Sequence, residues 1–354
     1  MIAGRRSTIF LALAVTLLVA ACGQTLPGTP DGDDTGYDDD LGTETPGWDV
    51  SPDPSATATP DGTTSSPSPT PTATASGWGG PPNDFRRTVG KGFLSSWLYA
   101  PRGLATAGNL LFIGDANRTG LRGAYGAVMA FDGTSEDAFT TYAGMYYERL
   151  VGSSYSLMLG ASTQAVAVND HVVLASDAQG VKGFIRAIPE NALNAGAPLA
   201  PACRDMVFAS GVLYMAQTGQ VGALKEGTWT PTQGINVDAR GLGADAQGRL
   251  WLVTSDRISA YQAGQRVLDF DARGTNTAGP GALQLQDVAV DPRNGDVYAL
   301  DQQRVLRYDA TGKYLSTFGA GRIGQGASIA VAADGSVYVS DAQDGEVYQY
   351  RPGN

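Results

Sequence analysis

The 354 residues carry 24 Lys and Arg against 35 Asp and Glu, a net charge of −11, which makes nucleic acid a poor match as a partner. Two cysteines, Cys22 and Cys203, exclude a disulfide-stapled fold, and one histidine, His171, excludes a zinc centre built on several imidazoles. The charge is unevenly placed: residues 23–80 hold ten acids and no base, which leaves −3 for residues 81–354 once Arg5 and Arg6 are counted.

The chain opens with Arg5 and Arg6, then an uncharged apolar run from Ile9 to Ala21. That run is shorter than the roughly 20 residues a spanning helix needs. A positive start, an apolar stretch and small residues in that order predict an export signal over residues 1–21. Its end, Val19-Ala20-Ala21-Cys22, resembles the bacterial lipobox. The resemblance implies cleavage before Cys22 and acylation of that thiol. The protein is then expected in the cell envelope, lipid-anchored to the outer membrane or to the extracytoplasmic face of a bacterial membrane. Two or three acyl chains make a lasting anchor where one does not.

Residues 23–80 add nine prolines to their ten acids, with abundant Thr, Ser and Gly. Such a segment cannot bury enough apolar surface to offset the entropy of ordering it, so 22–80 reads as the lipidated cysteine followed by a disordered linker. Asp31-Gly32-Asp33-Asp34 starts like a calcium loop, but Gly42 stands where the bidentate Glu belongs. The Thr/Pro stretch from Ser51 to Ser76 suits O-linked sugars.

From residue 81 the pattern changes to short apolar runs of period two, separated by Gly, Asp, Asn and Pro. The clearest unit is Gln286-Asp287-Val288-Ala289-Val290-Asp291, a turn, Asp296-Val297-Tyr298-Ala299-Leu300-Asp301, then Arg304–Asp309 and Tyr314–Gly319. Its first half recurs from Arg102, Gln164, Arg204, Arg240 and Ala327, at spacings of 62, 40, 36, 46 and 41. Repeats of this length, each a four-stranded antiparallel unit, predict an all-β, six-bladed propeller over 81–354. The first blade carries an insertion rich in Tyr and Met. The last copy stops after its third strand, Glu346–Tyr350, and Phe85–Gly90 looks like the fourth-strand run, so the N-terminal strand is expected to complete the last blade. The unit resembles the NHL repeat, which implies the propeller fold and leaves function open.

Second strands end in Asp at Asp115, Asp177, Asp256, Asp301 and Asp341, with Gln217 as the exception; a residue repeated in this way is expected to hold a turn. The residues just before the innermost strands are Arg102, Gln164, Arg204, Arg240, Gln286 and Ala327. Three guanidiniums and two amides around one channel mouth suit a carboxylate, sulfate or phosphate. They equally suit pairing with acids of neighbouring blades, Asp205 and Asp287 lying one ring position further on. In the first-blade insertion, Tyr142, Tyr146 and Tyr147 are candidates for protein or glycan contact.

Enzyme chemistry has less to draw on. Metal-dependent lactonases exist among six-bladed propellers and hold their cation with Glu, Asn and Asp at the channel; here the matching ring has two Asp and no Glu. No cofactor motif, metal-ligand cluster or serine nucleophile setting is evident. The expectation is therefore a lipid-anchored propeller that binds a protein, peptide or glycan partner, with a metal-dependent hydrolase or lactonase as the alternative.

Overall fold

The computed structural model describes residues 83–89, 98–120, 123–132, 139–141, 159–160, 162–186, 188–192, 198–225, 228–232, 235–272 and 283–353. Cys22, the linker and Tyr142, Tyr146 and Tyr147 lie outside them. Strand β1 (Phe85–Val89) comes first. Blade 1 is β2 (Ala100–Ala107), β3 (Leu110–Gly120), β4 (Gly123–Asp132) and β5 (Phe139–Thr141), with the short β6 (Leu159–Gly160) beside β4. Blade 2 is β7 (Ala165–Val168), β8 (Val172–Asp177), β9 (Gly180–Ile185) and β10 (Ile188–Ala192). Blade 3 is β11 (Asp205–Ala209), β12 (Val212–Gln217), β13 (Gln220–Lys225) and β14 (Thr228–Pro231). Blade 4 is β15 (Gly241–Ala244), β16 (Leu250–Val253), β17 (Arg257–Gln262) and β18 (Gln265–Asp271). Blade 5 is β19 (Leu285–Val290), β20 (Val297–Asp301), β21 (Arg304–Tyr308) and β22 (Tyr314–Phe318). Blade 6 is β23 (Gly326–Val331), β24 (Val337–Asp341) and β25 (Glu346–Tyr350), with β1 as its outer strand.

The second strand of each blade is apolar on both faces because it is covered on both. In β20, Val297 and Ala299 pack toward blade 4, while Tyr298 and Leu300 pack toward blade 6. In β3, Leu111 and Ile113 meet Ala330 and Tyr338 of blade 6, and Phe112 meets Val166 and Phe184 of blade 2. Period-two alternation thus sorts side chains between two neighbours and leaves neither set in water. Each pair of adjacent blades shares one such cluster. The innermost strands touch in an unbroken cycle, β2 to β7, β11, β15, β19, β23 and back to β2.

Closure follows the expected route. β1 pairs antiparallel with β25, Phe85 opposite Tyr350 and Val89 opposite Val347. Val89 enters the cluster between blades 6 and 1, and the Phe85 ring meets Tyr348 and Tyr350 edge-on at 6.3 and 6.1 Å. One blade therefore draws strands from both ends of the ring, and the edge of β25 is covered.

The repeated aspartates hold turns, as their recurrence suggested. Asp341 accepts the amides of Gly324 and Gln325, which lead into the innermost strand, and of Gln343 and Asp344 in the next hairpin, at 2.7 to 3.2 Å. Asp115 takes the amides of Tyr99 and Ala100; Asp177 takes those of Gly160, Gln179 and Gly180; Asp301 takes those of Gln284 and Gln302. Gln217 inverts the polarity and donates its amide to Ala202 O at 3.2 Å. Asp256 does not belong to the set. Gly241 pairs with Val253, so the equivalent position is Thr254, and Asp256 lies two residues beyond in a turn.

Four amides lose their acceptor in Asp341→Ala, and a buried unsatisfied donor costs about 1–3 kcal/mol. Urea unfolding of that variant is expected to show a loss of about 3 kcal/mol or more, with Asp341→Asn intermediate.

Candidate functional site

The six innermost strands enclose an axial cavity of about 350 Å³. All six contribute to its wall, which is mainly aliphatic backbone and side chain; Asp205 and Asp287 are the charged residues that line it. Asp205 opens β11 and Asp287 is the third residue of β19; both stand at the ring position occupied in the other blades by Gly103, Ala165, Gly241 and Ser328.

This ring position ties blades together. Asp205 accepts the amide of Leu242 in blade 4 at 2.6 Å through Oδ2, and its own strand's Met206 amide through Oδ1 at 2.8 Å. Asp287 reaches blade 6, where Oδ2 accepts the Ser328 hydroxyl at 2.7 Å and the Ile329 amide at 2.9 Å; Oδ1 accepts Val288 N at 2.7 Å. Ser328 Oγ in turn accepts the Leu104 amide of blade 1 at 3.1 Å.

Asp205 and Asp287 come from blades 3 and 5, yet their carboxyls lie within hydrogen-bonding reach of each other. Gly241, at the same position of the blade between them, makes the room: a Cβ there would overlap Oδ1 and Cα of Asp287. Burial pushes both carboxyls up. Asp205, further raised by the charge of Asp287, sits well above the usual carboxylate range. Asp287 is pushed to about 6, with bonds from Ser328, Ile329 and Val288 pulling against its burial. Two like charges in contact oppose each other's ionisation, so the pair binds a proton more tightly than either carboxyl would alone.

The five rim residues sit just outside this ring and none lines the cavity. Arg102 and Gln286 occupy irregularities in the ladders between Pro101 and Gly103 and between Leu285 and Asp287, a placement that re-aims a side chain. Arg102 is exposed. Arg204, also exposed, pairs with Asp238 at 2.8 Å and bonds to Thr218. Arg240 donates to the Leu285 carbonyl and Gln286 to that of Gln284. The candidates thus flank the acidic pair, and the pairing of Asp205 with Asp287 was the feature hidden in the sequence. A signal for it existed: two Asp at one repeat position with Gly in the blade between.

A hard divalent cation is poorly served here. It wants six or more oxygens, and all four oxygens of the pair already accept N–H or O–H bonds. Among the described residues no group of three or more His, Cys, Asp or Glu converges. Cys203 is buried, and burial pushes its thiol up to about 12, which leaves it inert at neutral pH. His171 lies in an exposed turn, where the Asn169 side chain accepts its amide.

No family model and no curated protein sequence matches the chain. Solved propellers do. Regucalcin from Agrobacterium tumefaciens, described as a calcium-binding protein, is similar over 77% of this chain and 97% of its own, at 13% identity and a TM-score of 0.53. A gluconolactonase from Xanthomonas campestris is similar over 72% and 86%, at 13% identity and a TM-score of 0.50. The WD40 propeller domain of Doa1 is similar over 76% and 96%, at 11% identity and a TM-score of 0.50. At such identities the likeness shows a propeller and nothing finer.

An aspartate whose folded form holds its proton more tightly than the unfolded chain supports the fold fully below about pH 4 and loses that support as pH rises through about 6. In Asp287→Asn the fall in stability between these conditions is expected to shrink by on the order of 3 kcal/mol, read from urea unfolding at each pH. Gly241→Ala, which forces the overlap with Asp287, is expected to cost about 2 kcal/mol or more by the same measurement.

Proposed function

We propose that this chain is a lipid-anchored envelope protein whose propeller hydrolyses compact ester or lactone substrates in its axial channel. The observation that carries the reading is the buried Asp205–Asp287 carboxyl pair set in the wall of a 350 Å³ cavity. A buried pair of carboxyls whose proton affinity is raised toward working pH is an arrangement that acid–base chemistry uses. The cavity is at the small end of the range for small-molecule sites, which favours a substrate of one ring. Fold likeness to a gluconolactonase and to regucalcin leans the same way. The calcium of the regucalcin description has no matching donor set among the described residues here, so the chemistry is assigned to the channel's own groups.

The envelope address rests on the lipobox-like Val19-Ala20-Ala21-Cys22 and the acidic linker; the NHL-like blade pattern describes the scaffold. A binding module for a protein, peptide or glycan is the second reading, favoured by the exposed Arg102 and Arg204 around the mouth.

Full-length protein extracted from membranes in detergent is expected to release acid from five- and six-membered lactones in a pH-stat at rates at least tenfold above the blank. No turnover across the panel would shift the reading to the binding module. Cys22→Ala is expected to move the protein from the membrane to the soluble envelope fraction; retention in the membrane would remove the anchor from the proposal.

A further inference from the structure

Resting on the hydrolase reading above, we propose that Asp205 and Asp287 form a metal-free carboxyl relay, in which Asp205 activates water against the carbonyl of a bound lactone and Asp287 stores the proton behind it. The assignment comes from counting acceptor sites. A carboxylate offers about four lone-pair sites. Those of Asp287 are filled by Val288 N, Ser328 Oγ, Ile329 N and the proton of Asp205. Asp205 uses two on Met206 N and Leu242 N and one to carry the shared proton. One site remains open, and it belongs to Asp205, the less buried member of the pair; Asp287 is 4% exposed.

Among the described residues no other charged side chain lines the cavity. Of the guanidiniums flanking it, Arg204 is bonded to Asp238 and Arg240 to the Leu285 carbonyl, while Arg102 stands exposed outside the ring. Two neighbouring blades, 4 and 6, hold the two carboxyls through bonds to Leu242, Ser328 and Ile329, so the pair is fixed by the ring itself.

The step balances. Water gives a proton to the open oxygen of Asp205 while the proton of Asp205 passes to Asp287. The water oxygen bonds to the lactone carbonyl carbon, and the carbonyl π pair moves onto oxygen. On collapse the C–O ring bond breaks, and the leaving alkoxide takes a proton from Asp205 as Asp287 returns its own. A hydroxy acid leaves, and the pair again holds one proton. Asp205 touches the reacting water, whereas Asp287 acts through it as a positioning and proton-storing residue.

The test uses full-length protein in detergent with δ-valerolactone and p-nitrophenyl acetate as probes. Wild type is expected to keep its rate in EDTA, with kcat/KM rising through an apparent pKa of about 6. Asp205→Asn and Asp287→Asn are each expected to lose about 10²–10³-fold, with cooperative urea unfolding retained. In Asp287→Asn the limb near pH 6 should vanish from the residual activity, which a purely structural role would not produce. Wild-type turnover that EDTA abolishes, or that both variants keep, overturns the relay and leaves the hydrolase reading standing. No turnover by wild type overturns both. Independently of activity, ¹³C-aspartate NMR should show a carboxyl titrating near pH 6 that is missing in Asp287→Asn; both carboxyls ionised at about pH 5 would sink the relay.

Discussion

Two-sided burial of the second strand in each blade is the constraint on which the rest of the structure depends. Trp251, Tyr298 and Tyr338 are fully enclosed, and each needs a neighbouring sheet to enclose it. Burying side chains of this size is worth roughly 1.5–3 kcal/mol apiece, so a blade standing alone would expose one apolar face and forfeit that gain. A row of blades would still leave two such faces at its ends. Only a closed ring has none. The pairing of β1 with β25 completes that ring through backbone bonds, and Val89 and Leu98 fill the cluster where the two ends meet.

The same closure creates the channel and places charge in it. Six strands converge on one axis, so six residues distant in the chain become neighbours at their starts. At four of these positions the residue is small or a hydroxyl, and Gly103 shows why: a Cβ there would stand 2.8 Å from the Ala165 Cα of the next blade. The other two carry carboxyls that bond across blade boundaries. An acid at this position therefore serves the ring first, by accepting amides from the next blade, and its proton affinity follows from that burial. Function at such a site would draw on groups already fixed for structural reasons, a cheap form of preorganisation.

Structural and functional carboxylates can be told apart here by what surrounds them. Asp115, Asp177, Asp301 and Asp341 accept several backbone amides, and Asp177 and Asp301 add Lys182 and Arg304 at 3.0 Å. Buried with such donors, they hold turns. Asp205 and Asp287 accept amides too, but they face each other, and among the described residues no Lys or Arg lines the cavity beside them. Repetition in four of the six blades marked the first group as structural. Occurrence in two blades only, with glycine between, marks the second as particular.

Sequence alone determined the strands, their grouping in fours, the number of blades and the closing strand, because each rests on period-two alternation and turn residues that act within a few positions. It also placed the innermost strands to within two residues, and it showed Asp205 and Asp287 at one ring position. Tertiary structure decided the rest. Thr254, rather than Asp256, holds the fourth blade's equivalent place because strand register, not spacing in the chain, sets equivalence. Gln286 and Arg102 fall at ladder irregularities that spacing in the chain did not announce. The meeting of two carboxyls 82 positions apart depends on ring curvature and on the missing Cβ of Gly241, and neither is a local property of the chain.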